Sequence, residues 1–324
     1  MTAPRNELTS EQKLVEDIKE WSGNKHIGDD CAVLPGGQLV TVDALVEGTH
    51  FITKEIGYES LGWKAAAVNL SDIAAMGGRP RHVVVSLTLP ESVKKSAVRQ
   101  LMTALIGCCK AYRANVVGGD LTAGPVLVIN VTVIGDVHEG GCLTRSGAQA
   151  GDVVVVTGDF GASRAGLALI GNKAQQEKYS YVWQRHTKPK PRLCESWSLV
   201  RKTGSRAALM DASDGLADAL IQIARNSQVG IEINQKDIPI DKETLAVAKV
   251  AGADPLEWAL YGGEDYELVG TLPESIWRNW QGQENNPFKA IGKVNSQKGV
   301  FLVTDGGQKI ALDLKKSFQH WIDL

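Results

Sequence analysis

Segments 38–46, 82–90 and 126–137 each read as a β-strand, and two helical segments, 58–76 and 91–113, lie between them. This alternation constrains the chain more than any other feature. Strands and helices in turn bury their apolar sides as a sheet covered by helices on one face or both. VLVINVTVIGDV, 126–137, is apolar on both faces, which marks a central strand. The helix Tyr58–Met76 stops at Gly77, Gly78 and Pro80. Ahead of it, Thr9–Trp21 reads as a short helix with Leu14, Val15 and Ile18 on one side and Thr9 or Ser10 as its cap. HEGGCLTRSGAQAG, from 138, is turn-rich and without period, a candidate domain boundary. DVVVVTG then opens a second series. Helices are expected near 161–171, 192–203, 214–226 and 242–251, and strands near 229–233, 266–271, 289–294 and 299–304. The predicted class is α/β with mixed sheets. At 324 residues the chain exceeds one hydrophobic core, so two domains are expected.

Composition narrows the function by exclusion. Hydrophobic residues make up 43% and charged residues 22%, ordinary for a soluble globular protein. A net charge of -2 gives no electrostatic case for nucleic acid or an anionic membrane. No apolar run approaches the roughly 20 residues that span a bilayer. The acidic, amphipathic N-terminal stretch is unlike a signal peptide. Cys31, Cys108, Cys109, Cys142 and Cys194 lack metal-like spacing, and an odd count suits reduced thiols in a cytoplasm.

The acidic residues carry the chemistry. In VTVDALVEGTHF, 40–51, Val40, Val42, Ala44 and Val46 form the apolar rhythm of a half-buried strand, with Thr41, Asp43, Leu45 and Glu47 on the other face. Asp is depleted in strands, so Asp43 needs a reason. Asp72 lies on the apolar face of its helix. Other acids stand beside Gly or Ser: Asp29 and Asp30, Asp120, Asp211 and Asp214, Glu264 and Asp265. A lone Asp beside Gly is ordinarily a turn residue, but unpaired carboxylates at positions such as 43 and 72 are costly to bury. Lys64 and Arg79 flank Asp72, and no Lys or Arg lies between 28 and 53. If the acids converge, each like-charged pair at about 4 Å costs roughly 4 kcal/mol at an effective dielectric near 20. Hard, all-oxygen ligation of this kind suits Mg²⁺ and phosphate chemistry. There is no phosphate-binding Gly-x-x-x-x-Gly-Lys loop and no Gly-x-Gly-x-x-Gly. Asp159-Phe160-Gly161 imitates a protein-kinase signature without its companions and reads as a strand-to-helix turn.

Taken in order, Ile27-Gly-Asp-Asp-Cys-Ala, Val42-Asp-Ala-Leu-Val-Glu-Gly-Thr-His-Phe, Asn69-Leu-Ser-Asp-Ile-Ala-Ala-Met-Gly-Gly, Gly118-Gly-Asp, Asp211-Ala-Ser-Asp-Gly-Leu and Tyr261-Gly-Gly-Glu-Asp-Tyr-Glu-Leu resemble the thiamine-monophosphate kinase family, in the superfamily of aminoimidazole ribonucleotide synthetase. The motifs cover almost the whole chain. The resemblance implies an N-terminal domain, 1–140, that binds ATP and Mg²⁺ and forms a homodimer through its sheet. It implies a C-terminal domain, 141–324, that closes over the site. The expected reaction is transfer of the ATP γ-phosphate onto thiamine monophosphate. Carried over by position, Asp29, Thr41, Asp43, Asp72, Asp120, Asp211 and Asp214 are the expected Mg²⁺ ligands. Tyr112, Gly119, Asp120, Arg145 and Ser213 are expected at ATP, and His50, Glu264 and Phe318 at the thiamine side. Several Mg²⁺ ions are implied, and participation of K⁺ is left open. Asp30, Glu47 and Asp265 are not settled by the family pattern. Two rivals fit less well. A selenophosphate synthetase would place a reactive Cys near its N-terminus, and residues 1–27 contain none. A maturation partner would present a C-terminal Cys, whereas this sequence ends His-Trp-Ile-Asp-Leu.

Overall fold

The computed structural model describes residues 9–24 and 27–317. Helix α1 (Ser10–Ser22) opens on a capping box between Thr9 and Gln12 and closes on Gly23 at φ +62°. The first sheet comprises β1 (Ala32–Leu34), β2 (Gln38–Val46), β3 (Arg79–Leu89), β4 (Asn115–Ala123) and β5 (Val128–Asp136), in the order β1-β2-β5-β3-β4. β3 and β4 run parallel, and the remaining pairs are antiparallel. Helices α2 (Thr53–Ala75) and α3 (Lys95–Ala111) cover one face only. They approach so closely that a Cβ on Gly62 would lie 2.0 Å from the Leu101 carbonyl oxygen. The alanines of α2 favour the helix and let it press against β2 and β5 on one side and the second domain on the other.

The second domain holds helices α4 (Ala162–Leu167), α5 (Lys173–Lys178), α6 (Ser180–Thr187), α7 (Leu193–Thr203), α8 (Leu216–Asn226), α9 (Lys242–Ala251), α10 (Pro255–Tyr261) and α11 (Glu274–Trp280). Its strands are β6 (Val153–Thr157), β7 (Ala208–Asp211), β8 (Gly230–Asn234), β9 (Leu268–Leu272), β10 (Phe288–Asn295), β11 (Gly299–Val303) and β12 (Lys309–Ala311), in a seven-stranded sheet ordered β12-β11-β8-β10-β6-β9-β7. The fully buried valines of β6 account for its central place. Asp159-Phe160-Gly161 is the turn between β6 and α4.

Two expectations from sequence are corrected, and several short elements were not anticipated. On β2 the helix-covered face carries Leu39, Thr41, Asp43 and Leu45, while Val42 is 55% exposed. The apolar alternation therefore marks the bare face. Gly118-Gly119-Asp120 is not a turn but part of β4, an exposed edge strand whose glycines hide its period. Strand β7 and helices α5, α6, α10 and α11 had no clear signal, because they are short and their apolar residues lack a stable period.

Candidate active site

β2, α2 and the start of the second domain converge where α2 is wedged between the sheets. Thr41 Oγ1 donates to Asp72 Oδ2 at 2.6 Å, and the Asp43 N–H donates to Asn69 Oδ1 at 2.9 Å. Asp43 thus keeps its place on the sheet through α2. Across the domain boundary, Ser71 Oγ donates to Asp211 Oδ2 at 2.5 Å, at the end of β7. The turn before β1 brings Asp29 and Asp30, which meet the connection between domains. The Arg145 N–H donates to Asp29 at 2.7 Å, and its guanidinium donates to Asp30 at 2.8 Å. Carboxylate oxygens of Asp30, Asp72 and Asp211 lie within 4.8 Å of one another.

Burial and like charge act together on these acids. Asp43 is pushed up to about 6, first by burial and then by Asp30. Asp72 and Asp211 are raised well above the ordinary range by burial and by neighbouring carboxylates. Burial, with Asp218 next, takes Asp214 to about 7. Such a set calls for a cation, and its donors are all hard oxygens.

Beside the cluster is a cavity of about 460 Å³, into which Asp29, Asp30, Thr41, Asp43, Asp72, Asp214, Arg145, Ser213, His50 and Glu264 all open. A second hollow of about 420 Å³ runs beneath α1 and shares Asp29, Arg145, Ser213 and Asp214 with it. The His50 Nδ1 accepts the Val46 N–H at 3.0 Å, which leaves the ring proton on Nε2. A larger groove of about 720 Å³ between α2 and α3 lies apart from the cluster, and its one carboxylate, Glu59, is paired with Lys188.

Three residues expected at the site stand elsewhere in a single chain. Asp120 pairs in register with Ser86, Asn130 and Ala44, which puts it on the bare face of the sheet. Gly119 is on the same edge strand, at the opposite margin from β2, and a Cβ there would meet the Val85 carbonyl at 1.9 Å. Tyr112 caps α3, half-buried near Arg192 and Glu195. Phe318 lies outside the described residues. Other members had no role assigned from sequence. Asp30 joins the cluster itself, and Asp218 on α8 receives the Gln12 amide at 2.9 Å. Lys64 ion-pairs with Glu264 at 2.7 Å. Asp265 accepts the N–H groups of Gly161 and Ser163 and so anchors a turn. Glu47 accepts from Thr53 and starts α2.

A family model described as AIR synthase related protein, N-terminal domain, matches residues 28–137, and its C-terminal counterpart matches 149–305. A thiamine-monophosphate kinase of Bacillus subtilis (strain 168) is 36% identical over 308 residues, 91% of this chain and 93% of that protein. The enzyme of the same name from Escherichia coli (strain K12) is 38% identical over 306 residues, 91% of each. A solved structure described as AaThiL complexed with AMPPCP and TMP superposes with a TM-score of 0.85 at 34% identity, covering 99% of this chain and 100% of that one.

Proposed function

The chain belongs to the thiamine-monophosphate kinase family and carries both AIR synthase related domains; from that premise we propose how its residues perform the reaction. The protein transfers the terminal phosphoryl group of ATP onto thiamine monophosphate, giving thiamine diphosphate and ADP. The observation that carries this reading is the meeting of Asp30, Asp72 and Asp211 beside a cavity that also holds His50 and Glu264.

The carboxylates fit Mg²⁺, being hard oxygen donors that outnumber the cations near them, Arg145 at Asp30 and Lys19 at Asp29. Asp29, Asp30, Thr41, Asp43, Asp72, Asp211 and Asp214 are the residues that would hold several such ions. Bound there, Mg²⁺ supplies neutralisation of phosphate charge. The chain itself then has to bring two anions together and keep them in line. Arg145 adds fixed positive charge between the two hollows, with Ser213 beside it. The acceptor is a phosphate oxygen already anionic at neutral pH, so no strong general base is needed. His50 accordingly orients the substrate through its Nε2–H, with Nδ1 committed to the backbone. Glu264 faces the same cavity as an acceptor for the thiamine moiety.

A homodimer through the bare face of the first sheet completes the reading. Val42 and the half-buried Val84 and Ile134 lie on that face, as does Asp120. Gly119 and Asp120 can reach an acid cluster only from a second copy. We set the domain boundary at 140/141, and the free thiols suit a cytoplasmic setting. Acceptor choice tests the proposal. With ATP and Mg²⁺, thiamine monophosphate should be turned over far faster than unphosphorylated thiamine. Comparable turnover of the two would sink it.

A further inference from the structure

Glu264 is held from several directions at once. Lys64, 1% exposed on α2, reaches its Oε1 at 2.7 Å, and His186 on α6 stands 3.5 Å from its Oε2. The Nδ1 of His186 lies 3.1 Å from Ser163 Oγ on α4. Among the described residues, Lys64 makes no other ion pair. Glu264 is 29% exposed, and its opening is toward the acid cavity that His50 and His186 also line. Its backbone is left-handed, at φ +58°, between Gly263 at +67° and Tyr266 at +52°. Non-glycine residues adopt that conformation where the surroundings impose it, and such positions cluster at functional sites. An ion pair that only joined α2 to the second domain could be built from ordinary helix positions. Here a strained loop delivers the carboxylate to the mouth of a cavity, while its cation stays in the interior.

We propose that Lys64, assisted by His186, is a positioning residue for the phosphate acceptor: it fixes Glu264 as an ionised acceptor that takes hydrogen bonds from the amino-bearing ring of thiamine monophosphate. The inference rests on the functional reading above. The charged and titratable groups around Glu264 are Lys64, His186, His50 and Tyr266. Burial pushes the Glu264 carboxyl up, but the Lys64 ammonium holds it below its ordinary value. His186 is itself driven down to about 3 by burial and by Lys64, so it acts as a neutral ring. Lys64 therefore supplies the charge, and His186 limits where the carboxylate can swing.

The test is a substrate-resolved comparison of Lys64→Met, Glu264→Gln and the double variant. Lys64→Met should raise KM for thiamine monophosphate by about tenfold or more, with KM for ATP within about twofold. The acid limb of kcat/KM for thiamine monophosphate should move to higher pH, because Glu264 loses its cation and keeps its burial. On a Glu264→Gln background, Lys64→Met should add nothing to that KM. Equal changes in both KM values, an unmoved acid limb or additive effects would each overturn the inference. If Lys64→Met alone does not fold, the charge-neutral double variant compared with Glu264→Gln still decides: a further rise in KM for thiamine monophosphate on that background overturns the inference. Wild-type protein that makes no thiamine diphosphate would refute the functional reading instead, so the two failures are distinct.

Discussion

Asp43 brings a carboxylate into a sheet strand where only its backbone, through Asn69, has a hydrogen-bond partner on α2. Asp43→Asn keeps the shape and removes the charge. It should lower Mg²⁺ affinity and turnover at least about tenfold, yet leave the apo melting temperature unchanged or higher, since it relieves repulsion from Asp30. A much lower apo melting temperature with near-normal turnover would mean a structural role. The same repulsion sets a pH dependence. Asp43 and Asp218 at about 6, and Asp214 and Asp265 at about 7, are raised from an ordinary value of 3.8. Their contribution to stability is present below the unfolded value and is lost as pH rises through the folded ones. His186, held at about 3, works the other way, but its effect is complete above its ordinary 6.5. Between about pH 6.5 and 7.5 the metal-free protein should therefore still lose stability, mainly through Asp214 and Asp265 and by less than roughly 1.4 kcal/mol per pH unit for each. Melts in chelator check this, and a melting temperature that rises over that window contradicts it. Asp43 and Asp72 were legible in the sequence because each sits in an apolar context that a carboxylate does not choose. Asp30 was marked as an acid but its place in the cluster was not legible, nor were the roles of Lys64 and His186. Their roles depend on partners in distant segments, and adjacency in sequence carries no trace of them.

β2 shows how an element can be placed correctly and faced wrongly. Its bounds, Gln38–Val46, follow from the alternation, but alternation alone does not say which face the helices cover. Thr41 and Asp43 take the helix side, where α2 brings Asp72 and Asn69 to them. Just before β9, the end of the Tyr-Gly-Gly-Glu motif is locked by Glu267, wholly buried between Arg185 and Arg192, each at 2.5 Å, and accepting Thr157 Oγ1 at 2.6 Å. This clamp ties α6 and the start of α7 to the sheet beside the loop that carries Glu264. Glu267→Gln removes the carboxylate the two guanidiniums share, leaving Arg192 with Glu195 at 3.1 Å and Arg185 without an ion pair among the described residues, and the loss should be about 3–5 kcal/mol. Urea unfolding measures it, and a loss under about 1 kcal/mol would show that Asp265 and Asp159 balance those charges without Glu267. Motif reading pointed to Glu264 and missed this clamp, since a buried carboxylate between two arginines looks in sequence like any acidic loop residue.

At the scale of the whole molecule, the first sheet leaves Val42 exposed and Val84 and Ile134 half-buried on the face its helices do not cover. Ile134→Glu places a charge at its centre, away from the acid cavity, and should turn a dimer into a monomer in analytical ultracentrifugation; an unchanged mass would remove this face as the interface. The two-domain α/β architecture was legible because strand and helix periods alternate along the chain. The separation of Gly119 and Asp120 from the other acids was not, because strand order in a sheet is a long-range property. The central claim is that acids from both domains form one site for direct phosphoryl transfer. Its most direct test incubates wild-type protein and Asp72→Asn with Mg²⁺, thiamine monophosphate and γ-labelled ATP, and follows the label. The wild type should place the label in thiamine diphosphate with none retained on the protein, and Asp72→Asn should lose this transfer while staying folded. Label trapped on the protein, or undiminished transfer by Asp72→Asn, would contradict the account.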